Sequence, residues 1–238
     1  MNWLENVEIL DSIPYEPDIA QIMKMLPMRA DKQRFERIVR ELLEIVVPIA
    51  RPKSVYRVCC VEKIEDDSAT IEGIKFTSHI LRDKLENVER VFPVVSTCGR
   101  EVDSIKLSGK DLIRDFCLDM IKNTIVFAAS QYVNKYLTQR FDIKQLSSLN
   151  PGEMESWPIT QLRNIFLLLG DVEAMIGVTL TEQCALVPVK SGAGILFPTE
   201  TQFFGCQLCP QRKCMGRRTA FDPELAEKYR EKARGTRG

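Results

Sequence analysis

The sequence predicts an α+β (α/β-like) fold in which long helices pack on a twisted, mostly antiparallel sheet. Residues 32–48 and 111–139 carry apolar side chains at helical spacing. Residues 54–75 are rich in β-branched side chains that alternate with polar ones, and residues 90–96 form a short apolar run typical of a buried strand. Because both periodicities occur within 238 residues, a length that can bury a core, we expect helices and strands in one fold.

The N-terminal part, residues 1–52, is predicted to be mainly helical. Residues 6–15 are interpreted as a short strand or an irregular arm, and a short helix over 18–26 is expected to end before Pro27. Asp31 is the expected N-cap of the helix over 32–48, because its carboxylate can accept a hydrogen bond from a free amide of the first turn.

The central part, residues 53–200, is predicted to be an α/β core that begins with a hairpin. Its strands are expected at 54–63 and 69–75, with a turn at 65–67. Cys59 and Cys60 are adjacent in a strand and therefore point to opposite faces, which favours packing over shared metal binding. A helix over 78–86 follows, and His79, the one histidine, is interpreted as a surface or capping-turn residue.

A turn at 97–101 is expected after the buried strand over 90–96. Cys98 lies in this turn, where the amides of a helix terminus would favour its thiolate form. The helix over 111–139 is the longest predicted element and the expected centre of the core. Its predicted apolar face consists of Leu112, Ile113, Phe116, Met120, Ile121, Ile125, Ala128, Tyr132 and Tyr136.

Two glycine-containing turns are predicted around a second helix over 158–169. Pro151-Gly152 precedes it, with Ser156 as the expected N-cap, and Gly170 is the expected end. The second turn, residues 191–194 (Ser-Gly-Ala-Gly), is predicted to join two strands, LVPV and GILF. Turns of this kind can present main-chain groups to a ligand.

Composition excludes several function classes. The chain has 33 basic and 33 acidic side chains, so it lacks the basic surplus of a general nucleic-acid-binding protein. No apolar run is long enough to predict a transmembrane helix. The first residues lack the basic and apolar segments of a signal peptide, so a cytoplasmic location is predicted.

The C-terminal extension, residues 201–238, contains a candidate metal site. Cys206, Cys209 and Cys214 have the spacing C-x2-C-x4-C, in which two thiolates of one tight turn can hold a metal and the third closes the loop. A fourth ligand is left open among Cys98, Cys117, Cys184 and a non-protein ligand. An iron–sulfur cluster is the first prediction and structural zinc the second, and a charged helix over 223–233 is expected to follow.

The order of motifs over residues 149–197 resembles the activation domain of cobalamin-dependent methionine synthase, a family that includes free-standing proteins. The motifs are PG, then WP leading into a helix that ends in LLG, then IGV-LTEQ, and finally a proline followed by SGAGILF. The resemblance extends more weakly upstream to about residue 90. It implies the strand order of the sheet, which periodicity does not supply.

The resemblance implies a function as well. It predicts binding of S-adenosylmethionine, largely through main-chain groups of the PG turn, and reductive reactivation of a partner's corrinoid. One electron and the methyl group would convert cobalt(II) to methylcobalt(III), with a flavodoxin or ferredoxin as the expected electron donor. The predicted cofactor-binding residues are Ser148, Asn150, Pro151, Gly152, Glu153, Trp157, Glu182, Ser191, Gly192 and Gly194.

The sequence departs from the family at three places. The family has an arginine three residues before the proline of the PG turn and a tyrosine after its glycine, whereas this chain has Ser148 and Glu153. The acidic residue of the family's long helix has no counterpart, since Asn134 and Lys135 stand there. Only the backbone geometry of the turn therefore carries over.

Two other function classes remain open. The first is a non-enzymatic iron–sulfur or zinc adaptor that delivers electrons to a corrinoid protein and no longer binds S-adenosylmethionine. The second, a conventional S-adenosylmethionine methyltransferase, is disfavoured because the chain lacks the glycine-rich strand–turn–helix fingerprint of doubly wound folds.

Overall fold

The computed structural model describes residues 7–26, 31–107, 109, 111–154, 157–211 and 217–235. The strands in these ranges are β1 (Val7–Leu10), β2 (Lys53–Arg57), β3 (Cys59–Ile64), β4 (Ser68–Ile71), β5 (Ile74–Thr77), β6 (Arg90–Thr97), β7 (Leu146–Leu149), β8 (Thr179–Leu180), β9 (Leu186–Val187) and β10 (Ser191–Pro198). The α-helices are α1 (Ile19–Met25), α2 (Lys32–Val46), α3 (His79–Leu85), α4 (Arg100–Asp103), α5 (Leu112–Arg140), α6 (Leu162–Leu169), α7 (Val172–Ile176) and α8 (Pro223–Gly235). Short 3-10 helices lie at Val47–Ile49, Ile159–Gln161 and Gly205–Gln207.

Eight of the described strands form one sheet centred on β6. Strand β6 pairs with β2, β3 and β10, while β1 pairs with β2, β7 with β10, and β4 and β5 continue from β3. All of these strand pairs are antiparallel, and β8 and β9 form a separate antiparallel pair. With the helices around it, this sheet confirms the predicted α+β fold class.

Helices cover both faces of the sheet. One face packs against α3, α6 and α7 in a buried cluster that includes Trp157, Ile165 and Ile195. The other face packs against the C-terminal half of α5, where Leu137 joins the same buried cluster as Leu196. Helices α1 and α2 pack on the N-terminal half of α5. The predicted division at residues 52 and 200 stays a prediction.

Most predicted helix ends are confirmed by their capping contacts. The Asp31 carboxylate accepts a hydrogen bond of 2.9 Å from the Arg34 amide at the start of α2, and Gly170, with φ of 84°, ends α6. The predicted helix over 158–169 is divided into a 3-10 turn and α6. Its predicted N-cap, Ser156, lies outside the described residues.

The predicted hairpin over 54–75 is wrong in its strand boundaries. Its first strand is interrupted at Val58, so that β2 pairs with β1 and β6 while β3 pairs with β4. Its second strand is divided by a turn at Glu72-Gly73 into β4 and β5. Cys59 is buried and Cys60 exposed, which confirms that they point to opposite faces.

Helix α5 is confirmed, and its predicted apolar face is correct from position 113 to position 125, where Ile113 and Phe116 also pack against the buried cluster. Met120, Ile121 and Ile125 are buried, whereas Leu112 is 80% exposed. In the C-terminal half the buried residues are Ala129, Val133 and Leu137 instead of Ala128, Tyr132 and Tyr136. The buried side shifts around the helix because the first half packs on α2 and the second half on the sheet.

None of the helices in the described ranges combines the length and apolar character needed to cross a membrane.

Candidate functional site

Residues 191–194 form the first half of strand β10, so the prediction that they form a turn is wrong. Ser191 lies opposite Thr97, and Gly192 and Gly194 lie opposite Ser96 and Val94 of β6. Glycines inside a strand indicate a close approach of another chain segment or of a ligand. Antiparallel pairing with β6 therefore explains why residues 191–194 are extended. It does not explain why two of these four residues are glycine.

Side-chain alternation places the two glycines on the α5 face of the sheet. Ala193 and Ile195 belong to the buried cluster under α6, whereas Leu196 belongs to the cluster under α5. Gly192 and Gly194 share the face of Leu196 because alternate residues of a strand point to the same side. Ser191 points to the opposite face, where its hydroxyl lies 2.9 Å from that of Thr97.

The two glycines have different surroundings. A Cβ atom added to Gly194 would lie 1.8 Å from Asn150 Oδ1 and 2.7 Å from the carbonyl oxygen of Leu149. The Asn150 side chain therefore packs directly on the bare backbone of β10. A Cβ atom added to Gly192 would meet nothing within 4 Å. Open space consequently lies above Gly192, next to the place that Asn150 occupies.

The predicted turn at Pro151-Gly152 is confirmed, but its amides are used within the turn. Gly152 has φ of 87°, and its N–H donates to the carbonyl oxygen of Trp157 at 2.8 Å. The Glu153 N–H donates to the carbonyl oxygen of Asn150 at 3.2 Å. These two main-chain donors, which were expected to face a ligand, are therefore occupied, and the turn offers the side chains of Asn150 and Glu153 instead.

Glu153 carries an acidic group at the edge of this turn. Its Oε1 accepts a hydrogen bond of 2.6 Å from Asn150 Nδ2 and lies 3.6 Å from a guanidinium nitrogen of Arg218. Partial burial raises the pKa of Glu153 above its ordinary value, while the contacts with Asn150 and Arg218 act in the opposite direction. A Cβ atom on Gly205 would lie 2.8 Å from Glu153 Oε2, so the C-terminal extension packs closely against the carboxylate.

Arg218 links the C-terminal extension to the turn. Its guanidinium donates to Ser148 Oγ at 3.4 Å and lies 5.1 Å from the centre of the Phe204 ring. Its backbone N–H donates to Cys206 Sγ at 3.4 Å. One residue therefore contacts both the candidate metal loop and the candidate cofactor site.

The loop that carries Cys206 and Cys209 is folded around the side chain of Arg217. The guanidinium donates to four carbonyl oxygens, those of Cys206, Cys209, Gln211 and Thr219, at 2.5–3.1 Å. Cys206 and Cys209 are partly exposed thiols, and Cys214 lies outside the described residues. Within the described ranges no group of three side chains suited to a metal comes together.

Cys98 does not belong to this loop. Thr97, the residue before it, pairs with Ser191 at the start of β10. Ser148 pairs with Leu196, five residues further along β10, and Phe204 of the extension pairs with Ser148. Five strand residues span about 16 Å. Burial raises the pKa of Cys98 to about 11, so the predicted thiolate character at this turn is wrong.

Two further predicted binding residues lie away from the α5 face. Trp157 is fully buried against Phe76, and its indole N–H donates to Gln161. The Glu182 carbonyl oxygen accepts a hydrogen bond from Arg163 of α6 on the opposite face of the sheet. Trp157 therefore belongs to the core under α6, and the Glu182 main chain is held at α6.

Helix α5 supplies the wall opposite the turn. Lys190 Nζ lies 2.9 Å from Asp119 Oδ2, which places Asp119 beside the start of β10, and Leu137 packs with Leu196 near its end. The helix and the strand therefore run in the same direction. At 1.5 Å per helical residue Asn123 lies about 6 Å beyond Asp119, and Gly192 lies about 7 Å beyond Lys190 on the strand.

We call the resulting space the β10 groove. Its floor is the open backbone of Gly192, and the Asn150 side chain covers the neighbouring Gly194. One wall is helix α5, which contacts the start of β10 through Asp119 and its end through Leu137. The other is formed by Asn150 and Glu153, with Arg218 beyond Glu153. The contacts of Arg218 with Ser148 and Glu153 are not predicted from the sequence, because they join segments far apart in the chain.

No protein-family model and no curated protein matches the chain. The chain is similar in structure to a solved protein described as the MetH reactivation domain bound to AdoHcy (S-adenosylhomocysteine), with a TM-score of 0.59 and 14% sequence identity. The match covers 83% of this chain and 80% of that one. This likeness shows that the fold is that of the domain which the sequence motifs resemble.

Replacing each of the two glycines of β10 by alanine should have a different effect on the free energy of unfolding. Gly194→Ala should lower the free energy of unfolding by about 2–4 kcal/mol, because the added methyl group displaces Asn150 and meets a main-chain carbonyl. Gly192→Ala should leave stability unchanged or raise it by up to about 1 kcal/mol. Urea unfolding of both variants checks this, and equal destabilisation would contradict the assigned surroundings.

Proposed function

We propose that the protein binds S-adenosylmethionine in the β10 groove and presents its methyl group to the cobalt of a corrinoid carried by a partner protein. The observation that carries this proposal is the likeness, over 83% of the chain, to a domain solved with AdoHcy bound. The motifs of the PG turn and of β10 independently resemble the same family. The proposed activity is the reductive reactivation of a corrinoid protein, with an electron supplied by a separate donor.

The β10 groove supports binding of a nucleoside in three ways. Gly192 leaves the backbone of the floor open to a flat group. The amide oxygen of Asn150, beside the open space, can accept a hydrogen bond from a base or a ribose. Glu153 provides a negative charge beside the place where the positive sulfonium would lie, which favours the cationic form of the ligand.

The reaction places modest demands on the protein. Methyl transfer from a sulfonium to reduced cobalt needs no general acid or base, because the cobalt is the nucleophile and the thioether is the leaving group. The protein contributes by holding the two reactants in line. A groove built from glycines, amides and one carboxylate, in a chain with a single histidine, is adequate for that task.

The alternative function is a metal-containing adaptor that delivers electrons to the corrinoid protein. It is supported by the loop around Arg217, which fixes the backbone of Cys206 and Cys209, and by the N–H to Sγ hydrogen bond at Cys206. Hydrogen bonds of this type tune the reduction potential of iron–sulfur clusters. We propose an iron–sulfur cluster or a zinc ion held by Cys206, Cys209 and Cys214, with iron preferred for electron transfer.

S-Adenosylmethionine titrated calorimetrically into protein purified without oxygen should bind with a dissociation constant in the micromolar range. Gly192→Leu should abolish binding without loss of stability, because its side chain fills the open space above the floor. Gly192→Ala is the matched control and should keep most of the affinity. Binding that survives Gly192→Leu would show that the ligand lies elsewhere, and no binding to the unmodified protein would favour the adaptor.

The same preparation should contain iron with sulfide, or zinc, in a fixed ratio to protein. Cys206→Ser and Cys209→Ser should each lose the metal, while Cys60→Ser, at an exposed thiol outside the loop, should retain it. Metal analysis and absorption spectroscopy measure the metal content of the unmodified protein and of each variant. Metal-free protein, or metal retained in the loop variants, would contradict this part of the proposal.

A further inference from the structure

We propose that Glu153 and Arg218 together bind the amino-acid end of the nucleoside, with Glu153 accepting from its ammonium group and Arg218 donating to its carboxylate. This inference rests on the proposed function and extends it to the part of the ligand that lies beyond the ribose. It assigns a binding role to Arg218, which belongs to the C-terminal extension, 65 residues from Glu153 in the sequence.

The two charged groups have unused hydrogen-bonding capacity. Among the contacts of the described residues, Glu153 Oε1 accepts from Asn150, and Oε2 accepts no hydrogen bond. The Arg218 guanidinium makes one long hydrogen bond, to Ser148 Oγ at 3.4 Å. A guanidinium nitrogen of Arg218 lies 3.6 Å from Glu153 Oε1, so the two groups form an ion pair without a direct hydrogen bond. A carboxylate can accept about four hydrogen bonds and a guanidinium can donate five, so both groups can take a ligand.

A pair of opposite charges matches a zwitterion. The α-ammonium and α-carboxylate groups of an amino acid lie on one carbon atom, so a ligand that enters between Glu153 and Arg218 replaces one ion pair by two. The existing pair is easily replaced, since its side chains are 33% and 35% exposed and such pairs are weak. Charge-assisted hydrogen bonds to the ligand are stronger, particularly where a guanidinium meets a carboxylate.

The position of the pair suits the length of the ligand. Asn150 connects the Glu153 carboxylate to β10 at Gly194, and Gly194 lies about 7 Å from Gly192 along the strand. A nucleoside above Gly192 would therefore extend its 5′ substituent past Gly194 towards Glu153 and Arg218. Because the Asn150 side chain covers Gly194, the substituent would run along Asn150, and the partial exposure of both charged side chains leaves the end of this path accessible.

Both the side chain and the backbone of Arg218 are fixed by contacts within the C-terminal extension. Its guanidinium lies over the Phe204 ring, and its backbone N–H is bound to Cys206 Sγ. The neighbouring Arg217 fixes the loop by its hydrogen bonds to four carbonyl oxygens. Because less conformational freedom is lost when a group is already positioned, this arrangement favours binding of a carboxylate.

Three ligands with the same nucleoside test the proposal by calorimetry. S-Adenosylmethionine and S-adenosylhomocysteine carry the amino acid, and 5′-methylthioadenosine lacks it. Arg218→Gln should weaken binding of the first two about tenfold, the cost of one charged hydrogen bond. Glu153→Gln should weaken S-adenosylhomocysteine about tenfold and S-adenosylmethionine at least as much, because it also removes the charge beside the sulfonium. Neither should change binding of 5′-methylthioadenosine, which also shows that the groove remains folded. Arg163→Gln, which removes an exposed arginine on the opposite face of the sheet, is the control and should alter nothing.

The outcomes separate this inference from the proposed function. Equal weakening of all three ligands would mean that Arg218 acts on the fold of the groove and would overturn the inference. Tighter binding of S-adenosylmethionine by Arg218→Gln would also overturn it, since the guanidinium would then compete with the positive sulfonium. Binding of none of the three ligands to the unmodified protein would reject the proposed function itself.

Discussion

The contact between Asn150 and the bare backbone of Gly194 determines the geometry of the site. With any side chain at position 194 the Asn150 amide would be displaced, because even a Cβ atom would lie 1.8 Å from its oxygen. This contact places the start of the turn against β10, and Asn150 then positions Glu153 by a hydrogen bond of 2.6 Å. The glycine two residues earlier keeps the neighbouring part of the strand open. The groove thus depends on one close-packed glycine and one uncovered glycine in the same strand.

The C-terminal extension meets the rest of the protein at this same place. Gly205 allows the extension to approach the Glu153 carboxylate, and Arg218 connects Cys206 with Glu153 and Ser148. The cysteine loop and the groove are therefore in contact at two residues, Gly205 and Arg218. This proximity links the two functions proposed for the chain, since an electron-transfer site and a methyl-donor site both have to face one corrinoid.

Much of the fold could be predicted from local sequence patterns. The periodicity of α2 and α5, the Asp31 cap and the Gly170 stop act within a few residues, and the structure contains these four features. The site was less predictable because its parts are distant in sequence. Residues 191–194 read as a turn by composition, yet pairing with β6 makes them a strand. Trp157 was assigned to the ligand, although the core under α6 encloses it. Burial of Cys98 likewise depends on packing from α2 and α5, which no local pattern reveals.

The most direct test of this account is an experimental structure of the protein with S-adenosylhomocysteine. We expect the nucleoside on the α5 face of β10 above Gly192, between α5 and the turn at 150–154, with its amino-acid end near Glu153 and Arg218. A ligand bound on the α6 face, or at the groove between α1 and α2 that is lined by Ile19, Met23 and Arg40, would contradict it.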